Sequence, residues 1–150
     1  MRAWTTGVAI VSADHEGQRH GMTVNSFASI SLDPPLIAVS LQTASHTHAL
    51  VSRAGAFGLT ILAAGQQELS ERFAGRTGDA GTRWHGLQTE ALITGAPFIT
   101  GGLAFLDCRL SQAIRAGTNT LFIGEVVAVQ AKDHEAPLVY HDRAYRQLKD

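Results

Sequence analysis

Short apolar runs of strand length fill most of this chain, and glycine, proline or small polar residues separate them. The run from Leu36 to Leu41 is almost continuously apolar and follows Asp33-Pro34-Pro35, which predicts a strand buried on both faces that begins after a break. Other apolar runs predict strands at 8–11, from 21 onward with an apolar path that continues through Phe27, Ile30 and Leu32, and at 57–62, 103–110 and 121–127. The tail, 138–140 and then 145–146, predicts one short strand with a polar end. A regular alternation of strand and helix is missing, so a doubly wound fold does not fit.

Two short helices are predicted between these strands. Ser45 and Thr47 are good N-cap residues, and Gly55 is a good terminator after the apolar stripe of Ala49-Leu50-Val51. A second helix is predicted from Gln66 to Phe73. With six or more strands, this predicts a mainly β fold: a closed or nearly closed barrel with two or three short helices outside it.

The segment 75–88 contains four glycines and predicts a long loop that forms a surface flap. A turn at Gly117-Thr118-Asn119 separates the two strands predicted at 103–110 and 121–127. We therefore expect a long hairpin in the second half of the chain.

Length and composition limit the possible functions. The 150 residues fit one domain, 1–150, and the hydrophobic fraction of 45% with 17% charged residues is typical of a globular protein. The net charge of −1 provides no general field that would attract nucleic acid or anionic lipid. The first seven residues lack the apolar stretch of an export signal, and no apolar run reaches the roughly 20 residues of a membrane span. We therefore expect no membrane insertion and a cytoplasmic location.

Several catalytic motifs are absent: the Gly-x-Gly-x-x-Gly fingerprint, the phosphate loop and Gly-x-Ser-x-Gly. His46-x-His48 lacks the further ligands of a metal site, so no metal is predicted. Cys108 alternates with Leu106 and Leu110, which predicts a buried residue rather than a catalytic thiol. Hydride transfer is compatible with so few catalytic groups, because the cofactor carries the chemistry and the protein supplies position.

Two early segments are candidates for cofactor binding. Gly21-Met22-Thr23-Val24-Asn25-Ser26 is uncharged and rich in small hydrogen-bonding groups, which suits the edge of a planar heterocycle; a β-bulge or turn is the alternative. In the segment from Ser40 to Thr47 a strand ends and a helix begins, so free amides and two hydroxyls predict an anion site. His46 or His48 would add positive charge there, and simple helix capping is the alternative.

Two later segments carry aromatic and cationic residues together. Glu71-Arg72-Phe73-Ala74-Gly75 places an arginine beside an aromatic ring, which would flank a bound ring; helix surface plus core is the alternative. Tyr140-His141-Asp142-Arg143-Ala144-Tyr145-Arg146 suits a dinucleotide, because arginine stacks on bases and holds phosphates. A solvated C-terminal end is the alternative for that segment.

Taken in order, these segments resemble the flavin-reductase-like family, which includes the reductase components of two-component flavin monooxygenases. The resemblance covers nearly the whole chain and rests on the order and spacing of motifs that are weak one by one. The matching motifs are Thr6-Gly7-Val8-Ala9-Ile10-Val11, Gly21 to Phe27, Ser31-Leu32-Asp33-Pro34-Pro35-Leu36, Ser45-x-Thr47-x-Ala49-Leu50, Arg72-Phe73-Ala74-Gly75, Gly95-Ala96-Pro97 and Gly117 to Val126.

The resemblance implies a split β-barrel that binds FMN or FAD, uses NADH or NADPH and works as a homodimer. It places the flavin ring along Met22, Thr23, Val24, Asn25 and Ser26, with Ser40, Leu41 and Phe73 close to it. The flavin phosphate is expected near Ser45, His46 and Thr47, and the nicotinamide near Asn119, His141, Tyr145 and Arg146.

The chain departs from the family pattern at two points. Asn119 stands where the family usually has a histidine that is linked with nicotinamide binding, and asparagine keeps hydrogen bonding but loses the charge. Relatives usually carry a longer N-terminal helix before the segment that begins at Thr6, so this chain is shortened there or incomplete.

The implied activity is an NAD(P)H:flavin oxidoreductase. Hydride passes from C4 of the reduced nicotinamide to N5 of the flavin, and reduced flavin then serves a partner monooxygenase. No side chain is required as acid or base, since rate comes from holding two rings in alignment. Two alternatives remain: a flavin-binding protein with weak or no nicotinamide turnover, suggested by Asn119, and a haem or deazaflavin binder on the same barrel.

Overall fold

A computed structural model describes the protein over residues 2–76, 80–133 and 135–148, with the side chain of Ala80 left out. This part of the chain contains α1 (His46–Ala54), α2 (Gln67–Phe73) and two single 3-10 turns, Ala64–Gln66 and Ala80–Thr82. Its strands are β1 (Thr6–Gly7), β2 (Ala9–His15), β3 (Gln18–Val24), β4 (Phe27–Leu32), β5 (Pro35–Gln42), β6 (Ala56–Ile61), β7 (Thr89–Ala91), β8 (Pro97–Ile99), β9 (Ala104–Ala116), β10 (Asn119–Ala131), β11 (Val139–His141) and β12 (Ala144–Arg146). No helix in these residues is both long and apolar enough to cross a bilayer.

Seven strands form one antiparallel sheet in the order β3-β2-β6-β9-β10-β5-β4. Two small sheets accompany it, β1-β11-β12 and β7-β8. The edge strands β3 and β4 follow each other in the chain but have no ladder between them. The predicted mainly β fold with peripheral helices is confirmed. The split barrel that the resemblance implies is confirmed, and of the closed or nearly closed barrel expected from the pattern the closed form is not found, because the chain leaves the sheet at Asn25 and Ser26 and no ladder joins β3 to β4.

The long hairpin is confirmed and is longer than predicted. β9 and β10 pair from Ala104↔Ala131 to Ala116↔Asn119, around a turn in which Gly117 has a φ of 61°. Their hairpin ends are exposed from 111 to 118, so burial does not mark them in the sequence. Pairing continues past the core because each backbone group there bonds its partner strand.

β2 is the strand that both apolar cores share. Alternate residues Ala9, Val11 and Ala13 belong to the first core, while Val8 just before the strand and Ile10 belong to the second. Because successive side chains of a strand point to opposite faces, β2 is buried on both sides. The first core also holds Val24, Ile37, Val39, Leu41, Leu50, Val51, Phe57, Leu59, Cys108 and Phe122. The second core also holds Leu62, Phe73, Ile99 and Leu138.

Helix α1 closes the first core and follows the predicted start and stop signals. The Ser45 side chain accepts a hydrogen bond from the His48 amide at 3.2 Å, as an N-cap does. Gly55 ends the helix with a φ of 63°, and its amide donates to the Val51 carbonyl. A left-handed residue is needed there, which explains why glycine is found.

The described part of the glycine-rich loop lies at the surface, where a flap was expected, and contacts the body of the protein. An Arg72 Nη2 donates to the carbonyls of Thr82 at 2.7 Å and His85 at 2.6 Å. The Trp84 ring packs edge-on against Phe73, with ring centroids 5.0 Å apart. Gly78, one of the four glycines, lies outside the described residues.

The hairpin of β7 and β8 was missed in the sequence and is held by a buried carboxylate. Asp107 on β9 is fully buried. It accepts hydrogen bonds from the amides of Ile93 at 2.7 Å and Thr94 at 2.9 Å, and from the Thr94 hydroxyl. Its neighbour Cys108 is buried as predicted, and burial together with the Asp107 carboxylate raises the pKa of the thiol to about 12.

We expect Asp107→Asn to destabilise the fold by about 2 kcal/mol, because an NH2 group that cannot accept replaces one of the two carboxylate oxygens that now accept hydrogen bonds, and the charge is lost. The measurement is the free energy of unfolding from urea denaturation. Glu125→Gln, at an exposed position of β10, is the control and should leave that free energy nearly unchanged. Equal stability of the two variants would contradict the role given to Asp107.

Candidate functional site

The split between β3 and β4 exposes a row of uncharged hydrogen-bonding groups. Asn25 and Ser26 lie outside both strands and are exposed. The Ser26 hydroxyl donates to the Ser40 carbonyl at 2.8 Å, and the Ser40 amide donates to the Ser26 carbonyl at 2.9 Å. Asn119 Nδ2 donates to the Ser40 hydroxyl at 2.9 Å. The row Ser26–Ser40–Asn119 therefore joins three predicted ligand residues from separate elements.

A cavity of about 600 Å³ lies beside this row. Asn25, Ser26 and Phe27 line it on one side, and Trp4 and Tyr140 contribute aromatic rings. The remaining lining residues are Arg2, Ala28, Ala38, Leu121, Asp142 and Arg143. Arg2 Nε and Asp142 Oδ1 pair at 2.7 Å, so two of these charges are already partnered. The cavity suits a large, flat and mostly uncharged ligand.

A smaller cavity of about 160 Å³ shares Asn25 and Tyr140 with the first and is also lined by Thr23 and Tyr145. The Thr23 hydroxyl donates to the Ser70 carbonyl at 2.6 Å, and the Tyr145 and Ser70 hydroxyls are 2.8 Å apart. These bonds attach the C-terminal hairpin to α2 and β3. The structure thereby brings Tyr145, predicted on the nicotinamide side, next to Thr23, predicted on the flavin side.

The other two C-terminal candidates lie on the same hairpin. His141 Nδ1 is 2.8 Å from the Thr5 hydroxyl, across the small sheet that β1 forms with β11. Arg146 is exposed and pairs in register with Val139. Their predicted contact with nicotinamide stays a prediction.

Four candidates have side chains that are turned away from open surface. Those of Met22 and Leu41 pack in or against the first core, and Val24 is only 6% exposed. The Phe73 ring is 1% exposed and sits in the second core, close to Gly21 of β3. A Cβ at Gly21 would lie 3.0 Å from that ring, so glycine permits this close packing. Contact of these four residues with a flavin stays a prediction. Because their side chains are packed in the cores, their main-chain atoms are better placed to make that contact.

The start of α1 holds the remaining candidates. Ser45 is half-buried and His46 is exposed, whereas Thr47 is fully buried and its hydroxyl lies 2.8 Å from His20 Nδ1. His48 turns to the sheet, where Nε2 lies 2.8 Å from the Thr120 hydroxyl. Of the two histidines of the motif, His46 is thus the one that faces solvent.

His20 is the residue near α1 that the sequence did not single out. Its ring centroid is 5.4 Å from that of His46. Burial, followed by the positive charge of Arg83 and the neighbouring His46, lowers the pKa of His20 below its ordinary value of 6.5. The uncharged form of His20 therefore predominates at pH 7, and the Thr47 hydroxyl hydrogen-bonds to an uncharged imidazole ring.

Sequence reasoning also missed Trp4, Phe27, Ser70 and Leu121, and it did not assign Tyr140 to the site. Trp4 offered a signal, because a tryptophan in a polar stretch is unusual, and it is 67% exposed here. Ser70 offered none, since a serine inside a short helix has no distinctive pattern. Within residues 2–76, 80–133 and 135–148, no three His, Cys, Asp or Glu side chains are grouped as a metal site requires.

We expect the stability of the protein to fall on the acid side of neutrality in part through His20. Its pKa is lower in the folded state than in the unfolded state, so the unfolded chain binds more protons as the pH drops below 6.5. The stabilisation is complete above that pH and is lost as the pH falls toward the folded pKa. Urea midpoints of wild type and His20→Gln, compared between about pH 7.5 and about pH 5.5, should show a smaller loss for the variant.

His85→Gln, at an exposed position, is the matched control and should follow wild type. If His20→Gln shows the same loss with acid as wild type, His20 does not contribute to it.

Comparison with known proteins identifies the family. The family model described as the flavin reductase like domain matches residues 1–149. The chain is 41% identical over 145 residues to FMN reductase (NADH) SmoA of Agrobacterium fabrum, covering 97% of this chain and 80% of that protein. It is 33% identical over 148 residues to the reductase component of 4-hydroxyphenylacetate 3-monooxygenase of Thermus thermophilus, covering 99% of this chain and 92% of that protein.

Solved structures agree with the sequence relatives. The flavin reductase component BorF of a bacterial two-component tryptophan halogenase superposes with a TM-score of 0.91 at 35% identity, covering 99% of this chain and 94% of that chain. The resemblance seen in the motifs is therefore confirmed, and the chain belongs to the flavin reductase-like family.

Proposed function

We propose that this protein is an NADH-dependent flavin reductase that transfers hydride from NADH to FMN or FAD. The observation that carries the proposal is the shared wall of the two cavities: Asn25 and Tyr140 line both, so the segment predicted for the flavin and the hairpin predicted for the nicotinamide meet in one place. The named relatives support the choice of reaction and of donor, since SmoA is an FMN reductase that uses NADH.

The residues present fit an isoalloxazine ring. Its edge needs neutral donors and acceptors, which the side chains of Thr23, Asn25, Ser26 and Ser40 supply without charge. Its two faces need contact with apolar or aromatic side chains. Phe27, Leu121 and Trp4 line the cavity and provide such contact. We assign the phosphate to the start of α1, where Ser45 and His46 are accessible.

The chemistry itself needs no acid or base from the protein. With both rings bound, the chemistry would be transfer of a hydride from the reduced nicotinamide to the flavin, which would give NAD⁺ and reduced flavin. The contribution of the chain is position: Ser26 is fixed by two bonds to Ser40, and Ser40 is fixed in turn by Asn119. Such fixed donors hold the two rings in contact, and this alignment removes much of the barrier.

Three further assignments belong to this proposal. The relative that is a monooxygenase reductase component supports release of reduced flavin to a partner oxygenase. A homodimer is supported by Ile30 and Leu32, which are 52% and 90% exposed on the edge strand β4 beside the large cavity. Sedimentation equilibrium measures the mass of the protein in solution and so tests the homodimer directly. We also keep a cytoplasmic location and a single domain over 1–150 as part of the proposal.

The expected result in an anaerobic stopped-flow experiment is rapid bleaching of flavin absorbance when NADH is mixed with protein and flavin. Steady-state oxidation of NADH and of NADPH should be measured with FMN, FAD and riboflavin as acceptors. Bound flavin that stays oxidised with both donors would refute the reductase proposal and leave a flavin-binding protein.

That binding protein is the second candidate, and Asn119 is the observation that favours it. We expect Asn119→Ala to raise KM for NADH about fivefold to tenfold, because one or two hydrogen bonds are lost, while the flavin Kd changes less. Gln112→Ala, at an exposed position of β9, is the control. If instead wild type turns over slowly and Asn119→His gains a large rate with NADH, the second candidate is correct.

A further inference from the structure

The turn between β11 and β12 holds two consecutive residues in the left-handed backbone region. His141 pairs with Ala144, so Asp142 and Arg143 alone connect the two strands. Their φ angles are 47° and 62°, both positive as in a type I′ turn. Aspartate tolerates such an angle, but the second position of this turn favours glycine, and arginine is strained there.

The hairpin of β2 and β3 provides a comparison within the same chain. His15 pairs with Gln18, and the connecting residues Glu16 and Gly17 have φ angles of 53° and 80°. The second position of this turn is glycine, which adopts a positive φ without strain. A Cβ on Gly17 would meet no atom within 4 Å, so the backbone conformation, and not a lack of space, favours glycine there.

Arg143 differs from Gly17 in lining a ligand cavity, the one of about 600 Å³ in which the proposed function places the flavin ring. Two other residues that line it are charged, but Arg2 and Asp142 pair with each other at 2.7 Å. Arg143 makes no hydrogen bond or ion pair within the described part of the chain. The wall of this cavity therefore carries one unpartnered positive charge, on a strained backbone.

An unpartnered guanidinium on this wall suits a phosphoryl group, because it binds phosphate oxygens through paired, charge-assisted hydrogen bonds. The proposed function assigns the flavin phosphate to the start of α1, and no residue of α1 lines this cavity. The phosphoryl groups that remain are those of NADH, which join its nicotinamide and adenine halves. Tyr145, on the same hairpin as Arg143, was predicted on the nicotinamide side and lies next to Thr23.

Backbone strain of this kind persists where the surrounding structure holds it, and it concentrates at functional sites. We propose that Arg143 binds the diphosphate of NADH and thereby makes the protein selective for phosphorylated nicotinamide donors, although glycine would be less strained in the turn. Arg146, the other arginine of this segment, lines neither of the two cavities. The inference rests on the proposed function, since NADH must be the donor.

Three variants separate the charge of Arg143 from its strain: Arg143→Lys keeps both, Arg143→Gln removes the charge, and Arg143→Gly removes both. Riboflavin is the acceptor throughout, because it has no phosphate. KM for NADH should rise about fivefold to tenfold in the glutamine and glycine variants and less than about threefold in the lysine variant. With N-benzyldihydronicotinamide, which has the same reacting ring and no phosphate, KM should stay within about twofold of wild type in all three.

The strain has its own readout, which needs no turnover. Arg143→Gly should raise the urea midpoint of unfolding by roughly 0.3 M, since relief of the strained φ outweighs the extra freedom of glycine in the unfolded chain. Arg143→Gln should stay near wild type. Gly17→Ala, in the turn away from the cavity, should lower the midpoint and leave KM for NADH unchanged. Arg109→Gln removes an exposed arginine from β9 and should change neither quantity.

Binding of NAD⁺ to the protein loaded with oxidised riboflavin gives an equilibrium readout, because these two ligands do not react. Its Kd, measured by calorimetry, should rise in Arg143→Gln and Arg143→Gly by about the same factor as KM for NADH. Kd values for riboflavin and FMN, taken from quenching of flavin fluorescence, should stay within about twofold of wild type.

Three results would overturn the proposal. The first is a raised midpoint in Arg143→Gly with KM for NADH and Kd for NAD⁺ unchanged. The second is an equal rise of KM for both donors, because the effect would then concern the ring or the shape of the turn. The third is weaker binding of FMN alone, which would assign Arg143 to the flavin phosphate. Wild type that binds riboflavin and NAD⁺ but oxidises neither donor would instead contradict the proposed function.

Discussion

The burial of strand β2 on both faces is the constraint on which the rest of the structure depends. One face supports the core inside the curled sheet, and the other supports the layer made by α2, the segment that carries Trp84, and the C-terminal hairpin. Because both layers pack on β2 and β3 pairs with β2, the position of β3 is fixed relative to the C-terminal hairpin of β11 and β12. Thr23 pairs with Ile10, and it is through Thr23 and Ser70 that Tyr145 reaches the site. Packing of apolar side chains thereby determines where two groups of polar ligands meet.

The split of the barrel is what makes this meeting point accessible. In a closed barrel every backbone group of β3 and β4 would bond a neighbour, and no polar edge would be left for a ligand. Here the chain leaves the sheet at Asn25 and Ser26, and Ser26 is held by its bonds to Ser40. The exposed edge is uncharged, which suits a neutral tricyclic ring and would be a poor site for a metal or a highly charged substrate. The aromatic residues Trp4 and Tyr140 line the cavity beside this edge.

Local signals in the sequence predicted most helices and strands, but they did not predict which residues line the cavities of the site. Ser45 and Gly55 predicted both ends of α1, and Leu36 to Leu41 predicted β5, because capping and burial leave short-range patterns. The β7–β8 hairpin escaped prediction, since Asp107 holds it from a strand more than ten residues away. Phe73, placed at the flavin by the resemblance, is packed in the second core, and its contact with a ligand stays a prediction. Trp4 and Tyr140 come together because the N-terminal segment meets the C-terminal hairpin through the β1–β11 pairing and the Arg2–Asp142 and Thr5–His141 contacts, long-range contacts without a local signature.

The same long-range character explains why position 119 affects more than one ligand. Asn119 reaches Ser40 with one amide hydrogen bond, while its oxygen accepts from the Thr118 hydroxyl at 3.2 Å. Ser40 in turn fixes Ser26, so a change at 119 propagates to the group proposed at the flavin edge. A histidine in that position has different donors and a ring in place of the short amide, and it would orient Ser40 differently. The residue proposed to contact the nicotinamide is thus also bonded to the group proposed at the flavin edge, and effects on the two ligands separate only when KM for NADH and Kd for flavin are measured on the same variant.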